Sequence, residues 1–192
     1  MSHRLLFIAS LHHPERLLAE QLAAPSSPAL FPTSMGQHFW ERAMRRRGYA
    51  LDVFWRNLPG FGRRDVGSLR ADVHRQGLTP GKVAAAIMRR LPPQANPDYR
   101  RRNQMLIQQA QRFQPDLIWL VGDNTVITSE ALAEIKRTTA AIVIYASGTS
   151  PIVFSHPIER AAARLYDLVL VNDFYHGMQW RELGAPRVEC LP

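Results

Sequence analysis

From residue 117 onward the chain alternates short apolar runs with amphipathic helix patterns, and this alternation narrows the fold more than any other feature. Residues 117–121 form an apolar run closed by Gly122-Asp123-Asn124. A helix pattern follows at 129–137, then a run at 142–146 ending in Ser147-Gly148. A further helix pattern at 156–166 leads to a run at 168–171 closed by Asn172-Asp173. The last unit is a helix with Trp180 and Leu183-Gly184-Ala185, then a strand at 188–191. Short apolar runs joined by helices predict parallel strands covered on both faces. Ligands of such sheets sit beyond the carboxyl ends of the strands, so the polar residues at those ends are the first functional candidates.

The N-terminal half adds two strands. Residues 4–10 are nearly all apolar and predict a central strand. After a loop with Pro14, Pro25, Pro28 and Pro32, Ser34 is placed to cap a helix to Arg47 that buries Phe39, Trp40, Ala43 and Met44. Gly48 ends that helix and residues 50–55 form the second strand, completing one right-handed crossover. Residues 56–78 carry four glycines among five arginines and read as an irregular excursion. Thr79-Pro80 and Asn96-Pro97 are start signals for helices over 79–91 and 98–113. The second of these has Tyr99, Leu106, Ala110 and Phe113 on its apolar side.

One domain over residues 1–192 suits this length, and 46% hydrophobic residues suffice for its core. No apolar run nears the ~20 residues of a membrane span, and the N-terminal apolar stretch is too short for a signal-peptide core. The single cysteine, Cys190, fits a reducing cytoplasm and predicts a small buried hydrophobe in the last strand. The formal net charge is +8, and of 24 basic residues only Lys82 and Lys136 are lysine. Arginine clusters at 45–47, 63–64, 89–90 and 100–102 predict a solvated face or, alternatively, a patch for an anionic membrane or phosphate-bearing substrate. Nucleic acid is disfavoured, because zinc spacing, RNA-binding aromatics and a helix-turn-helix pattern are all lacking.

The residues just past the strands are Ser10 with His12 and His13, Arg56-Asn57, Gly122-Asp123-Asn124, Ser147 to Ser150, and Asn172-Asp173. Converging on one edge with helix N-termini, they suit anions or hydroxyl-rich ligands. Each has a plainer role as a cap or turn former, and for Asp173 capping is the stronger of the two. Gly36-Gln37-His38 opens the first helix, where a glycine admits a close ligand and a histidine can bond a hydroxyl. His12-His13 lacks partners at metal spacing. Gly60-Phe61-Gly62 is not a dinucleotide fingerprint, and there is neither a phosphate-binding P-loop nor a nucleophile elbow.

Residues 166–192, YDLVLVNDFYHGMQWRELGAPRVECLP, resemble the end of the N-terminal domain of GT-B glycosyltransferases, most of all the spore-maturation (CgeB-like) type. QPDLIWLVGDN, IVIYASGTSP and FPTSMGQHFWERAMRRRGYALDVF resemble its earlier strands and first helix. The resemblance implies a Rossmann-like α/β domain with a mainly parallel sheet of about six strands. It also implies a transferase that joins an activated sugar to an acceptor between two such domains. The N-terminal domain of that family mainly holds the acceptor, and the C-terminal one the nucleotide-sugar donor. By resemblance, Gly36, Gln37 and His38 shape the acceptor pocket, while Asp123, Ser147, Gly148 and Asp173 contact hydroxyls or orient loops. No catalytic base and no metal are assigned, and the first loop is longer than the family's and lacks its tight glycine turn.

The family's link to its second domain begins where this sequence stops. The expectation is thus an acceptor-binding half that binds no cofactor itself and is inactive without a C-terminal donor domain or partner chain. Its site is cytoplasmic, with the arginines available for the inner face of the membrane. The alternative is a stand-alone Rossmann-like ligand-binding or signalling module. A receiver-type module would need paired acidic residues after the first strand, and Ser10-Leu11-His12 does not supply them.

Overall fold

The computed structural model describes residues 2–10, 35–56, 91, 95–122 and 124–191, with residues 35–38 described as backbone only. Its strands are the apolar runs of the sequence: β1 (Arg4–Ala9), β2 (Ala50–Trp55), β3 (Leu117–Val121), β4 (Ile142–Ser147), β5 (Leu168–Val171) and β6 (Val188–Cys190). Between them lie α1 (Met35–Arg46), α2 (Pro97–Phe113), α3 (Ser129–Thr138), α4 (Pro157–Ala161) with a 3-10 turn at Ala163–Leu165, and α5 (Phe174–Glu182). All six strands pair in parallel in the order β2-β1-β3-β4-β5-β6. The chain is therefore an α/β, Rossmann-like domain with a six-stranded parallel sheet, as its alternation predicts.

Side-chain alternation along the strands divides the core in two. Leu6, Ile8, Ile118, Leu120, Val143, Tyr145, Val169 and Val171 face α2, α3, α4 and α5, meeting Leu106, Ala110, Leu132, Ile135, Ala162, Tyr166 and Trp180. Leu5, Phe7 and Ala9 face the other way, onto Met44 of α1. On that second face, α1 is the one helix among the described residues, and Ile144, Ala146, Leu168 and Leu170 are half-buried.

Local chemistry sets the element ends. Asn96 caps α2, its Oδ1 accepting the N–H of Asp98 at 3.0 Å, with Pro97 in the first turn. Thr128 and Asp173 cap α3 and α5 in the same way. Gly48 stops α1 at φ +85°, a conformation that favours glycine.

Four expectations need correction. Of Phe39, Trp40, Ala43 and Met44, only Met44 is buried; Phe39 is 55% exposed and Trp40 39%, although Trp40 meets Trp119 edge-on at 4.7 Å. This helix lies over an edge of the sheet, so a narrower stripe than its sequence offers is covered. The pattern at 156–166 is not one helix: His156 becomes the cap, and bonding shifts to the 3-10 type where Ala162 donates to Glu159 and Leu165 to Ala162. Cys190 is exposed rather than buried, because β6 is an edge strand whose buried contact with α5 is made at Val188. Finally, Arg102 is not on a solvated face: it is buried, pairing with Asp98 at 2.6 Å. The helix expected at 79–91, except Leu91, which stands in a bend, and most of the excursion at 56–78 lie outside the described residues.

Candidate functional site

Because every strand runs the same way, Ser10, Arg56, Gly122, Ser147 and Asn172 emerge along one rim. The strand order reverses between β1 and β3, where a parallel sheet commonly opens a ligand crevice. Here that place holds the guanidinium of Arg56, a residue only 4% exposed. Leaving the edge strand β2, it donates from Nε to Ser10 Oγ at 2.6 Å, from Nη1 to the Val121 carbonyl at 2.5 Å, and from Nη2 to the Gly122 carbonyl. Its own carbonyl accepts from Arg102 Nη1 at 2.7 Å. One side chain thus ties the carboxyl ends of β1, β2 and β3 together, its fixed donor fork suited to several acceptors at once.

Beside this cation lies a buried aromatic cluster. The rings of Tyr145 and Tyr166 stack at 4.5 Å, and Trp180 meets them edge-on at 5.3 and 6.0 Å. Tyr145 donates its hydroxyl to Glu159, a carboxylate just 1% exposed, and the Tyr166 hydroxyl donates to the Glu159 carbonyl. Burial, followed by the Glu159 charge, raises the Tyr145 phenol well above its ordinary range, while Arg56 pulls it back. Burial raises Tyr166 too. Both phenols therefore stay protonated at neutral pH and act as donors, not bases.

The loop after β3 is shaped from within. Asn124, fully buried, donates from Nδ2 to the Ile127 carbonyl at 2.8 Å and accepts the Ile127 N–H at 2.8 Å. Asn103 of α2 reaches across to donate to the Val126 carbonyl at 2.9 Å and accept the Thr128 N–H at 3.0 Å. Gly122 is closely packed where it stands: a Cβ there would lie 3.2 Å from the Ala146 carbonyl oxygen. Asp123, the candidate between Gly122 and Asn124, lies outside the described residues.

Ser147 and Asp173 end the neighbouring strands β4 and β5, so with Gly148 they share one stretch of rim. Ser147 is buried and donates to the Thr149 carbonyl at 3.0 Å, closing its own turn. Gly148 is exposed, and a Cβ there would meet nothing within 4 Å, so open space surrounds it. Asp173 Oδ1 accepts the N–H groups of Tyr175 at 2.8 Å and His176 at 3.2 Å, the capping role favoured for it by sequence. Gly36, Gln37 and His38 form the first turn of α1, which returns the chain from this rim to the start of β2. The backbone thus sets that turn on the side of the sheet opposite α2–α5.

Three features of the rim were not foreseen. Arg56 stands out in sequence merely as a charge after a strand, and Asn103 is a polar residue in mid-helix. The third is an open groove of about 300 Å³ between α2 and α3, bordered by Arg100, Asn103, Ile107, Thr128 and Glu130. Glu130 stands in the first turn of α3 with its carboxyl held low by its own backbone N–H and then by Thr128, so this helix start is negatively charged. Among the described residues, no three His, Cys, Asp or Glu side chains are grouped to hold a metal ion, and no helix is long and apolar enough to cross a membrane.

Chemically, this rim offers hydrogen bonds from small residues beside one deeply engaged cation. The buried carboxylate Glu159 already accepts from Tyr145, and the exposed carboxylate of Asp173 caps a helix. Compared with known proteins, the chain matches no family model and no curated protein.

Proposed function

We propose that the rim at β4 and β5 is the acceptor-binding wall of a GT-B type glycosyltransferase, completed by a separate donor domain or partner chain that holds the nucleotide-sugar. One observation carries this reading: the crevice at the reversal of strand order is filled by Arg56, whereas past the ends of β4 and β5 Gly148 and Asp173 stand exposed. A nucleotide-binding Rossmann domain keeps that crevice for its phosphates and lines it with glycines. An acceptor-holding domain has no such requirement. Gly148 leaves space above the rim, the exposed Asp173 carboxylate suits a sugar hydroxyl, and the first turn of α1 with Gly36, Gln37 and His38 closes the opposite side.

The isolated chain then binds a sugar or glycan acceptor and neither hydrolyses nor transfers common nucleotide-sugars. Isothermal titration against a glycan panel, with a nucleotide-release assay alongside, tests this. Robust turnover by the chain alone would contradict the division of labour. Tight binding of a nucleotide-sugar without acceptor binding would favour the stand-alone ligand-binding module.

A further inference from the structure

We propose that a ridge at the β4–β5 end of the rim is a contact through which two copies of this chain associate. The ridge consists of Ile152, Val153 and Phe154 in the loop after β4 and Phe174, Tyr175 and Met178 on α5. Their exposures are 49%, 67%, 75%, 67%, 72% and 45%, whereas most apolar side chains of this domain are covered. The two segments are joined: Ser150 Oγ donates to Gln179 Oε1 at 2.8 Å and accepts the N–H of Val153 at 3.2 Å. The loop is itself a turn, Phe154 N–H bonding the Ser150 carbonyl at 3.1 Å, so the side chains are held outward by a built structure.

Size favours a protein partner. Three aromatic side chains exposed to this extent present on the order of 400 Å². That alone reaches the largest patch usual on a monomer, and the three aliphatic residues bring it toward the roughly 800 Å² that one partner gives to a stable interface. Charge then selects the partner. The whole chain is strongly basic, yet the ridge is bordered by both signs: Arg160, which donates to the Ile152 carbonyl at 3.4 Å, and Asp173, which caps the helix beside Phe174 and Tyr175. An isologous contact sets a patch against itself, so it requires such local balance. The arginine-rich surface of α1, with Arg42, Arg45 and Arg46, would repel a copy and is the surface that an anionic membrane would select.

The inference concerns self-association rather than sugar binding, and it is tested on the full chain by sedimentation equilibrium over a concentration series. The expected result is a monomer–dimer equilibrium that Phe154→Asp and Tyr175→Glu each weaken about ten-fold or more, with thermal melting showing both variants folded. Arg45→Glu, far from the ridge, should leave the equilibrium unchanged or slightly tightened. A chain that stays monomeric at high micromolar concentration would overturn the proposal. So would a dimer indifferent to both ridge substitutions. Flotation with phosphatidylglycerol–phosphatidylcholine vesicles is the companion measurement. Binding of a monomer that is lost in Phe154→Asp would assign the ridge to lipid instead.

Discussion

The two ends of the same rim are built on opposite terms. Around β1, β2 and β3 the tips are closed: Arg56 is 4% exposed, its donors turned onto protein oxygens, and a Cβ at Gly122 would sit tightly, 3.2 Å from the Ala146 carbonyl oxygen. Around β4 and β5 the tips are open: Gly148 faces free space, Asp173 stands in solvent, and six large apolar side chains project beyond them. The sheet is continuous and parallel across both ends, so topology does not cause the difference. It arises from one long side chain reaching inward on the first side and two short turns reaching outward on the other. Ligands are therefore expected where the rim is open, and stability where it is closed.

Substitutions of the most deeply buried side chains should be the most costly. Trp180→Ala, which removes the ring packed edge-on against both buried tyrosines, is expected to lower unfolding free energy by about 3–5 kcal/mol in a urea titration. Arg56→Ala should cost about 3 kcal/mol, since it leaves two part-buried carbonyls without their donor, and Arg56→Lys should recover only part of this. If Arg56→Ala were neutral, the closed end would not be held by that residue.

A matched pair of glycine substitutions sharpens the comparison. Gly122→Ala is expected to cost about 1–3 kcal/mol because the new methyl group presses on the Ala146 carbonyl. Gly148→Ala should change stability by less than about 0.5 kcal/mol, the space there being empty. Equal effects at the two positions would erase the distinction.

Asp173 separates capping from binding. Asp173→Ala should lose about 1 kcal/mol of stability, whereas Asp173→Asn keeps an acceptor for the Tyr175 and His176 N–H groups and should be near neutral. A drop in acceptor affinity in the Asn variant would then report on the carboxylate itself.

The smallest effects concern pH. Tyr145 and Tyr166 have raised folded-state pKa values, so their contribution is complete below the unfolded value of about 10 and declines as the pH rises beyond it. The urea midpoint should therefore fall on the alkaline side of pH 10, with a shallower fall in Tyr166→Phe. His156 is lowered, by burial and then by Arg160, so its smaller contribution is present above about pH 6.5 and fades in acid.

Most of the architecture was legible in the sequence, because an apolar run between a helix and a polar turn has few other solutions. β2, β3 and β5 occupy the same residues in the sequence reading and in the structure, and β1, β4 and β6 agree to within a residue at their ends. What escaped depends on contacts between residues far apart in the chain. Arg56 bonds the Val121 carbonyl from 65 positions away, and Asn103 reaches Val126 from 23. Neither has a local signature. Cys190 and Phe39 misled for a different reason: hydrophobicity predicts which side chains prefer cover, whereas edge strands and outer helices do not cover them all. Of the candidate site, Ser147, Gly148 and Asp173 were readable as strand ends, while the closure of the β1–β3 end was not.

The most direct test is an amide NMR titration of the isotopically labelled chain with a panel of oligosaccharide acceptors. The account expects at least one acceptor to shift the resonances of Ser147, Gly148 and Asp173 in a saturable manner, leaving Arg56 and its neighbours unmoved. Saturable shifts centred on Arg56 and Gly122, or a nucleotide-sugar displacing signals there, would contradict it.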